Sequence, residues 1–426
     1  MDAGHDLPTP DAAAGATHRP TQEELRERKA RTRRHLERTG EVMTLSMGPQ
    51  HPSTHGVYRA VLDLDGEVVL AVRPEIGNLH RGVEKLCEYR TYHQIIPLTD
   101  RLDYISGFAM NHGFCEAAEK LMGVEVPDRG RYIRTIAHEL CRLANHILWL
   151  GTHVMDLGTQ TFFCICFRDR EYVLDLFEML TGARLTHSFC RIGGVAKDLP
   201  DGFDQRCRKV IDFLPKRVAE YERIIKHNRI YYKRAKNVGI FTAEDCYAWR
   251  VTGPTLRSAG VARDLRKDEP YAAYPEVEFE VAVEYNADVY DRFLVRMKEI
   301  RESCKIIRQC LDNLPDGPFL APDAGHSLPV KKNVLRDPAA MIQDFYQVFR
   351  GPQAPKGEVY RGIEAPKGEM GFYIRSEGGS KPARVHFATP SFYHGQAVPA
   401  LVEGEMVADV VAIFASVDLV LGDCDR

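Results

Sequence analysis

Apolar residues return at every third or fourth position in two long stretches, and this spacing constrains the fold more than any other feature. Ile133, Ile136, Leu140, Leu143, Ile147 and Leu150 form one stripe, with Arg131, Arg134, His138, Arg142 and His146 on other faces. Phe293, Met297, Ile300, Cys304, Ile307, Leu311 and Leu314 alternate steps of four and three, the seam of a helix packed lengthwise on others. Such stripes must be buried against neighbours, so both segments predict core helices of a bundle. Pro315-Asp316-Gly317-Pro318 ends the second. A further helix, about 168–181, stops at Gly182, which tolerates the left-handed conformation after a helix end. Residues 203–235 also read as helical, with a bend or break expected before Pro215, because proline lacks a donor and clashes with the preceding turn.

Two hairpins complete the pattern. Alternating runs at Val57 to Leu64 and Val68 to Val72 flank Asp65-Gly66, and Glu358 to Glu364 and Glu369 to Arg375 flank Ala365-Pro366-Lys367-Gly368. The expected class is therefore mainly α with small β-sheets (α+β): an N-terminal hairpin at about 57–72, a helical core at about 105–315, and a hairpin with a terminal segment at about 356–426. Residues 1–40, rich in Ala, Pro and Thr and then in charge, read as a flexible tail before one domain over 41–426.

Composition excludes several functions. A formal net charge of -3 offers no electrostatic case for nucleic acid. The longest apolar run, Val407 to Gly422, is interrupted by Asp409 and Asp418, so no membrane span is expected. Neither a GxGxxG after a strand nor a phosphate loop is present, so the nucleotide-binding fingerprints are missing. Eleven cysteines with no Cys-x-x-Cys, and no secretory h-region, favour reduced thiols in a cytoplasm.

His51 and His55 stand four apart in GPQHPSTHG (48–56). A zinc pair of that spacing sits on a helix with a glutamate between, whereas Pro52 and Gly56 demand irregular backbone here. Local composition alone favours histidines bonded to the backbone. Read the same way, Tyr104 is a core residue and Asp156 a cap at the end of its helix.

The motifs together resemble a known family. GPQHPSTHG, LHRGVEKL (79–86), DRLDY (100–104), HILWLGTHVMDLG (146–158), RIGGV (191–195), TGPTLR (252–257), DVYDR (288–292) and EAPKGE (364–369) occur in the order found in the D subunits of the NADH-quinone oxidoreductases, respiratory complex I. That family shares the fold of nickel-iron hydrogenase large subunits. The resemblance implies that His55 and Tyr104 bind the quinone headgroup, with Asp156 as the partner of His55, and that all three serve its reduction. A quinone needs two protons as two electrons arrive, and a phenol and an imidazolium are suitable donors. The resemblance further places Arg81 near the [4Fe-4S] cluster of an adjacent subunit. Thr186 falls where the family often has a histidine that also lies near the cluster, and His187 is one place later. Glu75, Leu98-Thr99 and Ala388 differ from common family residues, and such changes bear on the entrance and the preferred quinone.

The implied protein binds no cofactor or metal of its own, takes quinone as substrate, and works within a proton-translocating complex. Its expected partners are the cluster-bearing B subunit, the C and I subunits, and the H subunit in the membrane. Its expected place is peripheral, on the cytoplasmic side of a bacterial inner membrane. A homologous component of a complex fed by ferredoxin or another donor is the alternative, as is a purely structural role. Hydrogenase activity is excluded, since only Cys87 follows RGVEKL and the chain ends Gly422-Asp423-Cys424-Asp425-Arg426, without the four thiolates a nickel centre needs. Cys164 and Cys166 are read as small core residues.

Overall fold

The computed structural model describes residues 19–33, 41–322 and 326–426. Within the segment expected to be a tail, Gln22–Arg33 forms a helix, α1, rather than solvated coil. Leu25 is fully buried, the Gln22 side chain donates to the Ala259 carbonyl and accepts from the Ala243 N–H, and Lys29 pairs with Asp245 at 2.7 Å. One apolar residue among charges is too weak a signal to read from sequence. Residues 1–18 and 34–40 of that segment lie outside the described residues.

The first sheet has three antiparallel strands, β1 Met43–Met47, β2 Arg59–Asp65 and β3 Val68–Glu75, in that order. Asp65 pairs with Val68, so the hairpin turn is Gly66-Glu67, one residue later than the sequence pattern indicated. The short helices α2 Val83–Cys87 and α3 Tyr92–Thr99 lead into the bundle: α4 Gly107–Met122, α5 Asp128–Asp156 and α6 Gln160–Thr181. A small ladder joins β4 Cys190–Arg191 to β5 Gly194–Val195, after which come α7 Phe203–Lys226, α8 Arg229–Ala235, α9 Ala243–Ala248, α10 Pro254–Ser258, α11 Leu265–Asp268 and α12 Val289–Asp312.

Helix α5 is the axis of the fold. All six stripe residues are fully buried, but so are Arg134, His138, Arg142 and His146 on the faces expected to be polar. Neighbours supply their partners: Glu119 for Arg134 at 2.5 Å, and Glu299 for His146 at 2.7 Å. Arg142 donates to the Glu364 carbonyl at 2.6 Å. Buried charges persist only when paired in this way. Helix α6 starts two turns before the expected residue and ends at Gly182 (φ 84°), whose N–H donates to Glu178. Pro215 does not break α7. The interruption falls at His227-Asn228, where the Asn228 side chain accepts from the N–H groups of Ile230 and Tyr231 and starts α8. Burial of Ile211, Leu214 and Val218 holds α7 continuous through the proline, because tertiary packing outweighs one lost hydrogen bond.

Helices α13 Lys331–Val334 and α14 Pro338–Arg350 precede a second antiparallel sheet, β6 Ala354–Ala365, β7 Gly368–Gly379 and β8 Arg384–Ala388. Its hairpin turn is Pro366-Lys367. The sheet lies on α4, and a Cβ at Gly113 would come within 2.2 Å of the Phe372 ring, so only glycine permits this approach. The chain closes with α15 Pro390–Val402, α16 Val407–Ser416 and α17 Leu421–Cys424. Among the described residues, no helix is long and apolar enough to cross a membrane. Cys166 is buried as expected, whereas Cys164 is exposed, because it lies on the outer side of α6.

Burial also sets the acid response. Desolvation pushes His153 down to about 3 and His187 and His394 down to about 4. The unfolded chain binds these protons below about pH 6.5 and the folded chain does not, so stability present above that pH is lost as the pH falls. Each histidine is expected to contribute about 1.4 kcal/mol per pH unit between roughly pH 6 and 4. Thermal unfolding of the purified protein at pH 7.5 and 5 checks this, and an unchanged midpoint would count against neutral burial.

Candidate functional site

The loop from β1 to β2 winds through a single 3-10 turn, Pro52–Thr54. Thr54 Oγ1 lies 3.1 Å from the Pro49 carbonyl and 2.9 Å from that of His51, which ties the loop to itself. Gly48 (φ 85°) permits its close approach, since a Cβ there would lie 2.2 Å from the Tyr58 carbonyl. His55 follows with φ 53°, half-buried and edge-on to Phe414 at 5.6 Å. Its Nδ1 is 2.7 Å from the Leu419 carbonyl. A carbonyl can only accept, so Nδ1 carries the hydrogen and Nε2 is left for other work.

Asp156, the last residue of α5, is half-buried and accepts from the Ser53 hydroxyl at 3.4 Å. Burial raises its carboxyl, and the nearby His55 opposes that rise. The two side chains therefore interact electrostatically without a hydrogen bond. The direct pairing expected of Asp156 and His55 is replaced by Leu419 as the bonded partner of His55 and Ser53 as that of Asp156.

Tyr104 lies in the turn between α3 and α4. It is 39 % exposed, and its hydroxyl makes no hydrogen bond among the described residues. Desolvation of the ring, and then the Asp103 carboxylate, raise its phenol above the ordinary value. The carboxyl-terminal segment links it to His55: Leu419 bonds His55, and a Cβ on Gly422 would lie 3.2 Å from Tyr104 Cδ1. Three residues of chain span no more than about 11 Å, so both side chains border one short strip of backbone. The same segment clamps the 77–80 loop, where Asp425 accepts from the N–H groups of Gly77 and Leu79, both at 2.8 Å. Arg81 is exposed and donates to the Arg101 carbonyl at 2.6 Å, beside the Tyr104 turn.

Thr186 (φ 52°) and Ser188 (φ 42°) flank His187 in left-handed backbone. The His187 ring stacks on Phe108 at 3.9 Å, and its Nε2 faces the Arg184 carbonyl at 3.2 Å. Left-handed backbone is an outlier for a β-branched residue such as Thr186, so the surrounding packing must hold this loop.

Sequence reasoning missed the group below Tyr104. Lys367, in the β6–β7 turn, is fully buried, with Nζ 2.9 Å from Asp103 and 3.8 Å from Asp418. It also donates to the Asn145 side chain, whose Nδ2 donates to Asp418 at 2.9 Å. A lysine in a hairpin turn gives no sign of burial. The available signal was the acidic interruption of the apolar run before residue 424. Cys87 and Cys424 are both buried, and desolvation pushes the Cys87 thiol up to about 12. Among the described residues, no three His, Cys, Asp or Glu side chains converge on a metal position.

Comparison with known proteins agrees with the motif order. Residues 156–426 match the family described as the respiratory-chain NADH dehydrogenase 49 kDa subunit. The D subunit of NADH-quinone oxidoreductase from Geotalea uraniireducens is 47 % identical over 386 residues, covering 91 % of this chain and 99 % of the relative. The D subunit from Geobacter sulfurreducens shows the same identity and coverage, and that from Magnetococcus marinus is 46 % identical over 382 residues, 90 % of this chain and 96 % of its own length. The chain belongs to the 49 kDa family, the D subunits of NADH-quinone oxidoreductase, respiratory complex I.

Proposed function

We propose that this chain forms one wall of the site where quinone is reduced, with Tyr104 and His55 delivering the two protons. The observation that carries this reading is the shared border: an imidazole nitrogen and a phenol, both without a hydrogen-bond partner among the described residues, flank the strip Leu419–Gly422, the phenol exposed and the imidazole half-buried. Quinone, two electrons and two protons give quinol. The electrons come from a [4Fe-4S] cluster in a neighbouring subunit, and the protons come from the phenol O–H and the imidazolium N–H. Asp156 stands across space from His55, whose imidazole opposes the rise that burial imposes on the Asp156 carboxyl. Arg81, Thr186 and His187 face the cluster-bearing neighbour, and Arg81 adds a positive charge that favours the reduced cluster.

In this reading the chain carries no redox group and is inactive alone. It sits against the B, C, I and H subunits, peripheral to the cytoplasmic face of the inner membrane, in a complex that couples quinone reduction to proton translocation. A photoreactive quinone analogue tests the site in the assembled complex. Labelling is expected in this chain within 51–56 or 101–105 and should fall when unmodified quinone competes. Label confined to other subunits would refute the reading.

A further inference from the structure

Asp423 is fully buried in α17, one residue after the glycine that lies against the Tyr104 ring. Among the described residues, neither of its carboxyl oxygens has a hydrogen-bond partner of good geometry. The nearby Ser391 hydroxyl bears on it, and Ser391 in turn accepts from the Val420 N–H at 3.2 Å. Its acidic neighbours are better served. Asp103 pairs with Lys367 and accepts from the N–H groups of Ile105 and Ser106 at 3.1 and 3.2 Å. Asp418 has Asn145 and, farther off, Lys367, and it also feels Arg296, which lies over Trp149. Arg426 acts on Asp423 only from a distance and is itself paired with Glu84 at 3.1 Å.

Three buried carboxylates around one touching ammonium favour a resting state in which one of the acids is protonated. Of the three, Asp423 has neither a cation nor an N–H in hydrogen-bonding contact among the described residues. Burial, reinforced by Asp103, holds Asp423 well above the usual carboxylate range, in the same direction.

We propose that Asp423 holds a proton in the resting complex and returns it to Tyr104 after Tyr104 has donated to quinone, an assignment that rests on the quinone role of Tyr104. The carboxyl O–H breaks and the phenol O–H forms. The negative charge passes from phenolate to carboxylate, no electron moves, and the Lys367 ammonium stabilises the new carboxylate. The transfer runs downhill, because a carboxylic acid is ordinarily stronger than a phenol by about six pH units and burial raises both.

The experiment uses the assembled complex with Asp423→Asn and Asp423→Glu, measuring quinone reduction, reduction of an upstream artificial acceptor, and the pH profile of each. Asp423→Asn keeps shape and neutrality but has no acidic proton. It is expected to slow quinone reduction by roughly 100-fold while the upstream activity persists, with a residual rate that rises as the pH falls because protons then come from solvent. Asp423→Glu should restore the wild-type profile. The infrared spectrum of the wild-type complex at pH 7 should contain a protonated-carboxyl band that disappears in the Asn variant and shifts in the Glu variant. This band also decides the matter if the Asn variant fails to assemble, since its absence from the wild type, or its persistence unshifted in the Glu variant, would overturn the proposal. Normal turnover of Asp423→Asn beside an inactive Tyr104→Phe would overturn the proton-holding role alone. Normal turnover of both would remove the quinone role of Tyr104 itself.

Discussion

Replacing Tyr104 by phenylalanine is expected to collapse quinone reduction while leaving electron flow to an upstream artificial acceptor intact. The substitution keeps the ring that rests near Gly422 and removes only a hydroxyl that bonds nothing else among the described residues, so packing and assembly should survive. What is lost is an acid at the site of reduction. Removing a positioned proton donor slows the step it serves by roughly 100- to 10,000-fold, whereas removing an unbonded hydroxyl with no chemical role changes little. The two assays must be run on the same preparation. The upstream activity then reports assembly, and the ratio of the two reports the donor. Normal quinone turnover in an assembled Tyr104→Phe complex would reduce the DRLDY match to evidence of fold.

The second large effect concerns stability rather than turnover. Lys367→Met should destabilise the protein by about 3–5 kcal/mol, because it removes the ammonium paired with the buried Asp103 and near the buried Asp418. In the wild type, burial raises the Asp418 carboxyl, but Lys367 and Arg296 overcome that and hold it below the usual range. Without Lys367, burial raises the Asp418 carboxyl in the folded state. The penalty is then fully felt above its folded value and is relieved as the pH falls through it, since the folded form now binds the extra proton. Denaturant unfolding at pH 7.5 and 5.5 should therefore show a smaller defect at the lower pH. Adding Asp103→Asn should recover part of the loss at pH 7.5. A defect of under about 1 kcal/mol would mean that the ammonium does not support the group.

Much of the architecture was legible along the chain because it rests on local periodicity. The stripes of α5 and α12, the stop at Gly182 and both hairpins follow from spacings of three, four and two and from residues that accept a turn. Boundaries were less legible. Pro215 marked a break that packing overrode, Asn228 marked the real one, and α1 depends on the burial of a single leucine. The sequence placed the polar residues of α5 only on faces other than the apolar stripe, because periodicity reports where apolar groups fall. It does not report whether Glu119, Glu299 or the Glu364 carbonyl will arrive from elsewhere to pair with Arg134, His146 and Arg142.

By itself the sequence determined the class of fold, the family, and His55, Tyr104 and Asp156 as candidates, since motif order survives without any knowledge of distance. Tertiary structure alone decided who touches whom. His55 bonds a carbonyl 364 residues away rather than Asp156, and a turn lysine becomes a buried cation between acids from two other parts of the chain. Burial and pairing are sums over neighbours remote in sequence, and a residue's charge state and partners follow from those sums.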